Sequence, residues 1–215
     1  MSPLSARPPT LLHVDAALIV ADKPAGLLSV PGRGADKADC LAVRVQALHA
    51  DALMAHRLDM ATSGLIVLGR GAAMHRALSM AFAQRLVHKT YVAVVDGVMA
   101  DDQGEIALPL MADWPNRPRQ MVSQASGKPS LTRWRVLHRD LANRRTRVAL
   151  YPVTGRSHQL RVHLAAIGHA ILGDDLYAPA DAVSAAPRLL LHASALGLIH
   201  PADGVAMAFE STVPF

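Results

Sequence analysis

Apolar positions in this chain recur in short runs with two different periods, and the switches between them outline its elements. Leu11 to Ala21 holds two short apolar runs around Asp15, followed by the turn formers Asp22-Lys23-Pro24-Ala25-Gly26. This predicts a strand pair ending in a turn. Residues 1–10 carry three prolines and no period, which predicts a loose leader. Leu41, Val45 and Leu48 then stand at helical spacing, with Asp39 as the expected N-cap. The unbroken run Leu65-Ile66-Val67-Leu68 reads as a buried strand, and Met74, Leu78 and Phe82 mark one face of a second helix. From His88 to Gly97 the period returns to two, placing Tyr91, Ala93 and Val95 on one face of a strand.

The middle of the chain is different. Asp101 to Lys128 is rich in turn formers and poor in periodicity, and holds the unusual segment ADWPNRPRQMV. Clean alternation resumes at Ser130–Leu137, with Thr132, Trp134 and Val136 on one face and Arg133 and Arg135 on the other. It recurs at Arg145–Tyr151, with Thr146, Val148 and Leu150 inward. Two strands wet on one side predict an antiparallel sheet with a basic face. A further helix is predicted after Thr154, with Ser157 as N-cap, Leu160, Leu164 and Ile167 as its apolar stripe, and Gly168 just past its end. Arg188 to Pro201 is one more apolar run, a core strand.

Composition narrows the class. At 215 residues and 51% apolar content, the chain has ample material for a core. Lys and Arg number 22 against 17 Asp and Glu, and the arginines cluster at 117/119, 133/135 and 144/145/147. Such a balance favours a polyanionic partner. Cys40 is the only cysteine, so an intrachain disulfide and a thiolate zinc cluster are both excluded. With no signal-peptide pattern and no run of membrane-spanning length, a soluble cytoplasmic protein is expected, and with no long apolar stripe or heptad, a monomer. Aromatic residues make up only 4%, so any stacking on bases must fall to one or two of them.

The candidate chemistry lies in His56-Arg57-Leu58-Asp59-Met60-Ala61-Thr62-Ser63-Gly64. A carboxylate in a loop that feeds a buried strand is held rigidly, as a nucleophile or base must be. Other constellations fit less well. Gly32-Arg33-Gly34 lacks the remaining glycine of a phosphate loop. His158 and His163 are five apart, off a common helical face, and no acidic cage accompanies them, so no metal is expected. Asp174-Asp175 reads as the cap of a turn. His56, Asp59 and Ser63 crowd one loop too closely for a relay, and the nucleophile elbow is absent.

The sequence HRLDMATSG resembles the HRLDxxTSG signature of the RluA-type pseudouridine synthases. IVADKPAGLLSVPGR, HKTYVAVVDG, GRSHQLRVHLAAIGHAILGDDLY and RLLLHASALGLIHP resemble the family's other motifs, in order, from about residue 12 to 210. The one noticeable departure is His169-Ala170, where proline usually follows. The resemblance implies an α+β pseudouridine synthase catalytic fold, an extended, mainly antiparallel mixed sheet with flanking helices and a central RNA-binding cleft, as a single domain over 11–215 without the family's optional N-terminal RNA-binding domain. It implies isomerisation of uridine to pseudouridine in structured RNA, without cofactor. Asp59 would be the nucleophile and Arg161 its cationic partner, while Tyr91 would stack on the base and lie near C5. Arg57 would fill the space left by the flipped base, and Arg117, Arg119 and Arg156 would contact phosphates. The WPNRP segment resembles the branch acting on both tRNA and large-subunit rRNA; its arginines suit phosphates, and Trp114 would be a local anchor. Two other classes remain open: a non-catalytic RNA-binding protein on the same scaffold, and a hydrolase using Asp59 with a histidine.

Overall fold

The structure, a computed structural model, describes residues 8–34 and 37–215. Twelve strands are formed in these residues. The first six are β1 (Thr10–Val14), β2 (Leu18–Lys23), β3 (Ala52–Met54), β4 (Ser63–Arg70), β5 (His88–Asp96) and β6 (Gln103–Ile106). The rest are β7 (Leu110–Ala112), β8 (Gln120–Val122), β9 (Thr132–Asp140), β10 (Arg145–Pro152), β11 (Leu191–Ile199) and β12 (Ala206–Glu210). The helices are α1 (Leu41–Gln46), α2 (Gly71–Ala83), α3 (Gln159–Ala166) and α4 (Ala180–Ser184). This is the expected α+β chain. No helix among the described residues is long and apolar enough to cross a membrane. The chain divides into two compact units, Met1–His88 with Ala193–Thr212, and Lys89–His192 with Val213–Phe215.

In the first unit the strands run β1-β2-β4-β11, with β3 also on β4 and β12 on β11. β1 and β2 pair antiparallel across the Asp15 turn, as the two apolar runs predict. Of the leader expected over 1–10, residues 1–7 lie outside the described residues, and Thr10 already begins β1. β4 is buried from Ser63 through Gly69, because β2 and β11 flank it and α2 covers it. Leu78 and Phe82 of α2 pack on Leu65 and Val67, the face their spacing predicts. The start of α1 departs from expectation. Cys40, not Asp39, is the N-cap, because the Asp39 carboxylate is held by the Arg44 guanidinium at 2.6 and 2.8 Å.

In the second unit the order is β5-β10-β9-β6, all antiparallel. Thr132 and Trp134 face inward while Arg133 and Arg135 are exposed, and Thr146, Val148 and Leu150 are fully buried. The alternation breaks at Leu137, which has no partner between His138↔Arg147 and Val136↔Val148. This bulge leaves Leu137 exposed. The aperiodic stretch after Asp101 contains three strands, β6 to β8. Each is three or four residues long, too short for a period to declare itself.

Helix α3 also differs from its prediction. Its N-cap is His158, in the left-handed region at φ 54° and ψ 15°, while Ser157 is exposed and makes no cap bond. The Gln159 side chain organises this end instead. Its Oε1 accepts from the Arg156 N–H at 3.0 Å and the Thr154 hydroxyl at 2.7 Å. Its amide donates to the Leu131 carbonyl and the Thr132 hydroxyl, each at 3.0 Å. The C-terminus is as predicted: Gly168 at φ 82° returns its N–H to Ala165, and the His169 N–H reaches Leu164.

The Thr132 hydroxyl carries this chain on to His163, which is fully buried. The Leu108 carbonyl can only accept, so Nε2 of His163 carries a proton and donates to it at 3.0 Å, while Nδ1 meets the Thr132 hydroxyl at 3.0 Å. The imidazole is buried with both ring nitrogens partnered. Burial pushes it below its ordinary value of 6.5, partly offset by the bond to Leu108. The unfolded chain takes up this proton near the ordinary value while the folded chain resists. Stability is thus full above that pH and is lost as pH falls below it. Urea midpoints should drop between about pH 7.5 and about pH 5.5, and His163→Gln should show a smaller drop. An equal drop in the variant would remove His163 from the acid sensitivity.

Candidate active site

The loop that carries Asp59 is braced from the segment that follows β2. Lys23 ends that strand fully buried, and its Nζ donates to the carbonyls of Pro24 at 2.9 Å, Leu27 at 2.7 Å and Met60 at 3.1 Å. Three carbonyl acceptors match the three N–H bonds of an ammonium group. The Gly26 N–H meets the same Met60 carbonyl at 2.8 Å, where Gly26 adopts φ 83°. On the other side of Asp59, the buried Ser29 hydroxyl donates to the Leu58 carbonyl at 2.7 Å and accepts the Leu58 N–H at 3.1 Å. Both neighbours of Asp59 are therefore pinned through the backbone. The Thr62 N–H closes the turn on the Asp59 carbonyl at 3.1 Å.

The ends of the loop are fixed by other means. His56 accepts the Val67 N–H at Nε2, 3.1 Å away, and its ring stacks on Phe82 with centroids 4.3 Å apart. A ring nitrogen so used holds the chain and is not placed as a base for Ser63, which is buried in β4. Gly64 sits at φ 110° with its α-carbon against the backbone of Ala193, where any Cβ would collide. This is why glycine closes the HRLDMATSG segment. Along the loop, His56 and Leu58 turn inward, Asp59 is half-buried, and Arg57 is exposed.

The second unit holds the other expected site residues. Tyr91 is half-buried on β5 opposite Leu150. Lys89 shares its face two residues earlier, and burial lowers its ammonium below the usual range. Arg161 is 3% exposed and makes a two-pronged pair with Asp174: Nε to Oδ2 at 2.8 Å and Nη2 to Oδ1 at 2.6 Å. Asp175 accepts from Nη2 at 3.2 Å. Asp174 also caps its turn, as expected, by accepting the N–H groups of Leu176 and Tyr177. One carboxylate thus fixes both the arginine and the loop carrying Tyr177.

Tyr177 gathers the remaining groups. Its ring lies 5.2 Å from the Arg161 guanidinium and 5.4 Å from that of Arg119. Its hydroxyl accepts the Gln120 N–H at 2.7 Å and meets Nδ1 of His158 at 2.6 Å. The β7–β8 hairpin is tied in this way to the turn that holds Arg161. Arg117 stacks over Trp114 with its Cζ 3.3 Å from the ring centroid, and Arg156 is exposed ahead of α3. Trp114 itself is 64% exposed, so it is not the local anchor that its sequence setting suggests.

Lys23, Ser29 and Tyr177, and the pairing of Asp174 with Arg161, escape a reading of the sequence. Lys23 lies among turn formers, and its contact with Met60 spans 37 positions. The Arg161–Asp174 pair has a weak local signal, since an acidic pair follows the helix at loop distance. Replacing Lys23 by Met keeps the volume but leaves the buried Leu27 carbonyl without this donor, at about 1–3 kcal/mol. Lys23→Met should therefore lower the urea midpoint and reduce turnover. Wild-type stability and turnover would show that the brace is dispensable.

Comparison with known proteins adds family identity to this geometry. The family model for RNA pseudouridylate synthase matches residues 17–166. The dual-specificity RNA pseudouridine synthase RluA of Vibrio cholerae is 50% identical over 191 residues, covering 89% of this chain and 77% of that protein. RluA of Escherichia coli K12 is 47% identical over 205 residues, covering 95% and 93%. Among solved structures, human RNA pseudouridylate synthase domain containing 1 superposes with a TM-score of 0.82 at 27% identity, covering all of this chain and 87% of that one. Human RNA pseudouridylate synthase domain containing 4 gives 0.74 at 27% identity, covering 95% and 88%.

Proposed function

This chain belongs to the RNA pseudouridylate synthase family, and from that premise we propose that it is a dual-specificity enzyme. Its substrates are the first anticodon-loop uridine of some tRNAs and a stem-loop uridine of large-subunit rRNA. The observation that carries this reading is identity of 47–50%, over nearly the full length, with relatives named for dual specificity. The WPNRP hairpin, tied to the Arg161 turn through Tyr177, agrees with it. The enzyme acts as a cytoplasmic monomer.

The reaction breaks the bond from ribose C1′ to uracil N1 and forms one from C1′ to C5. N1 gains a proton and C5 loses one, so the product is an isomer and nothing else is consumed. Asp59 is the nucleophile that divides this transfer into easier steps. A nucleophilic carboxylate must be ionised, and Arg161 is the cation that favours this state. Tyr91 stacks on the uracil, offsetting about 1–3 kcal/mol of the cost of leaving the RNA stack. It also serves the final proton loss from C5. Arg57, exposed beside the pinned Leu58, enters the gap left by the flipped base. Arg117, Arg119 and Arg156 hold phosphates and set the register without reading sequence. Support for these roles is the residue-by-residue match of the motifs.

Tritium release from C5-labelled uracil tests the substrates and the late step together. The wild-type enzyme should release tritium from both an anticodon stem-loop and the rRNA stem-loop. Tyr91→Phe should bind both RNAs while release stalls. Release from one RNA alone would remove the dual specificity, and wild-type rates in Tyr91→Phe would reduce that hydroxyl to packing.

A further inference from the structure

The hairpin tip presents a side chain that neither the core nor the proposed chemistry uses. Tryptophan is usually largely buried, since its indole removes more apolar surface from water than most side chains. Trp134, on β9, follows this rule at 8% exposed, whereas Trp114 is 64% exposed. Its backbone is nevertheless fixed. Trp114–Asn116 form one 3-10 turn. Asp113 and Arg119 close the tip by a backbone bond of 3.0 Å, and the Asn116 amide bonds the Asp113 carboxylate at 3.0 and 3.1 Å. One ring face is covered by the Arg117 guanidinium at 3.3 Å.

The tip is also registered to the site. One strand of the hairpin donates the Gln120 N–H to the Tyr177 hydroxyl, and Tyr177 follows the turn that Asp174 and Arg161 lock together. A rigid exposed indole backed by a cation, with Arg119 close by in the chain, suits a ligand that joins a flat aromatic face to negative charge. An unpaired nucleotide has both. A protein partner would have no need of the guanidinium backing.

We propose that Trp114, backed by Arg117, is a second RNA contact on which one unpaired base of the substrate, other than the target uridine, stacks. This rests on the RNA-modifying reading above. A base on the ring excludes water from an apolar face, while Arg117 keeps its edge for the adjoining phosphate. Stacking tolerates any base, so the contact strengthens binding and orients the stem-loop without adding sequence preference.

The test uses whichever stem-loop RNA releases tritium with wild-type enzyme, so a failure of the substrate reading is seen first and apart. Trp114 and Trp134 are the only tryptophans, and only Trp114 is exposed. Saturating RNA should quench part of the wild-type emission, and Trp114→Phe should lack that part. Trp114→Phe should bind within a few-fold of wild type, because phenylalanine also stacks. Trp114→Ala should weaken binding by about 5- to 150-fold, read as a rise in Kd and KM. Thermal melting of both variants should match wild type, since the ring packs in no core. Unquenched emission at saturation, wild-type affinity in Trp114→Ala, or equal losses in both variants would each overturn the stacking site.

Discussion

A buried ammonium group governs the placement of the candidate nucleophile. Desolvating a cation costs several kcal/mol, and that cost is bearable only where hydrogen-bond acceptors or counter-charges converge on it. Lys23 therefore dictates the backbone around it. The chain after β2 must turn so that Pro24 and Leu27 face Nζ, and the distant loop must bring Met60 to complete the set. Ser29 adds a two-way clamp on Leu58. Asp59 stands between two residues whose backbones have little freedom, and its position is set before any substrate arrives. Preorganisation of this kind is what a nucleophile on a loop requires.

The second unit repeats the principle with different chemistry. Helix α3 is buried from Gln159 to Leu164, so Arg161 and His163 cannot rely on water. Arg161 is matched to the Asp174 carboxylate in a planar two-pronged pair. His163, whose charged form burial disfavours, ends a chain of bonds running through Thr154, Gln159 and Thr132 to Leu108. Such polar interiors specify one arrangement because losing a single partner strands a charge or a dipole in a dry place. The hairpin is attached through Tyr177 to this rigid base, which gives its exposed tip a defined place.

Much of this was legible along the chain because it is local. The alternation at Thr132–Val136 and Thr146–Leu150 places side chains correctly, and the run Leu65–Leu68 is a strand closed in on its faces. The glycine past α3 ends it as expected. Caps were harder to read. Asp39 and Ser157 have the right chemistry for N-caps, yet Arg44 holds the first and the Gln159 side chain takes over the role of the second. Strands of three residues around WPNRP have no period to detect. Met60 reaches Lys23 from 37 positions away and Asp174 reaches Arg161 from 13, which no local pattern encodes. Motif order pointed to Asp59, Tyr91 and Arg161, whereas their supports emerge only once the chain is folded.

In the proposed reaction the braced carboxylate of Asp59 attacks the substrate. Asp59→Asn keeps the size and backbone of the residue and removes the ionised oxygen, so it separates nucleophilicity from folding. The direct measurement is single-turnover tritium release from C5-labelled stem-loop RNA by this variant, with RNA affinity measured on the same preparation. With Asp59 as the nucleophile, no release above background is expected, together with binding close to that of wild type. Sustained release by a variant that binds RNA normally would contradict it and assign the first step to another group.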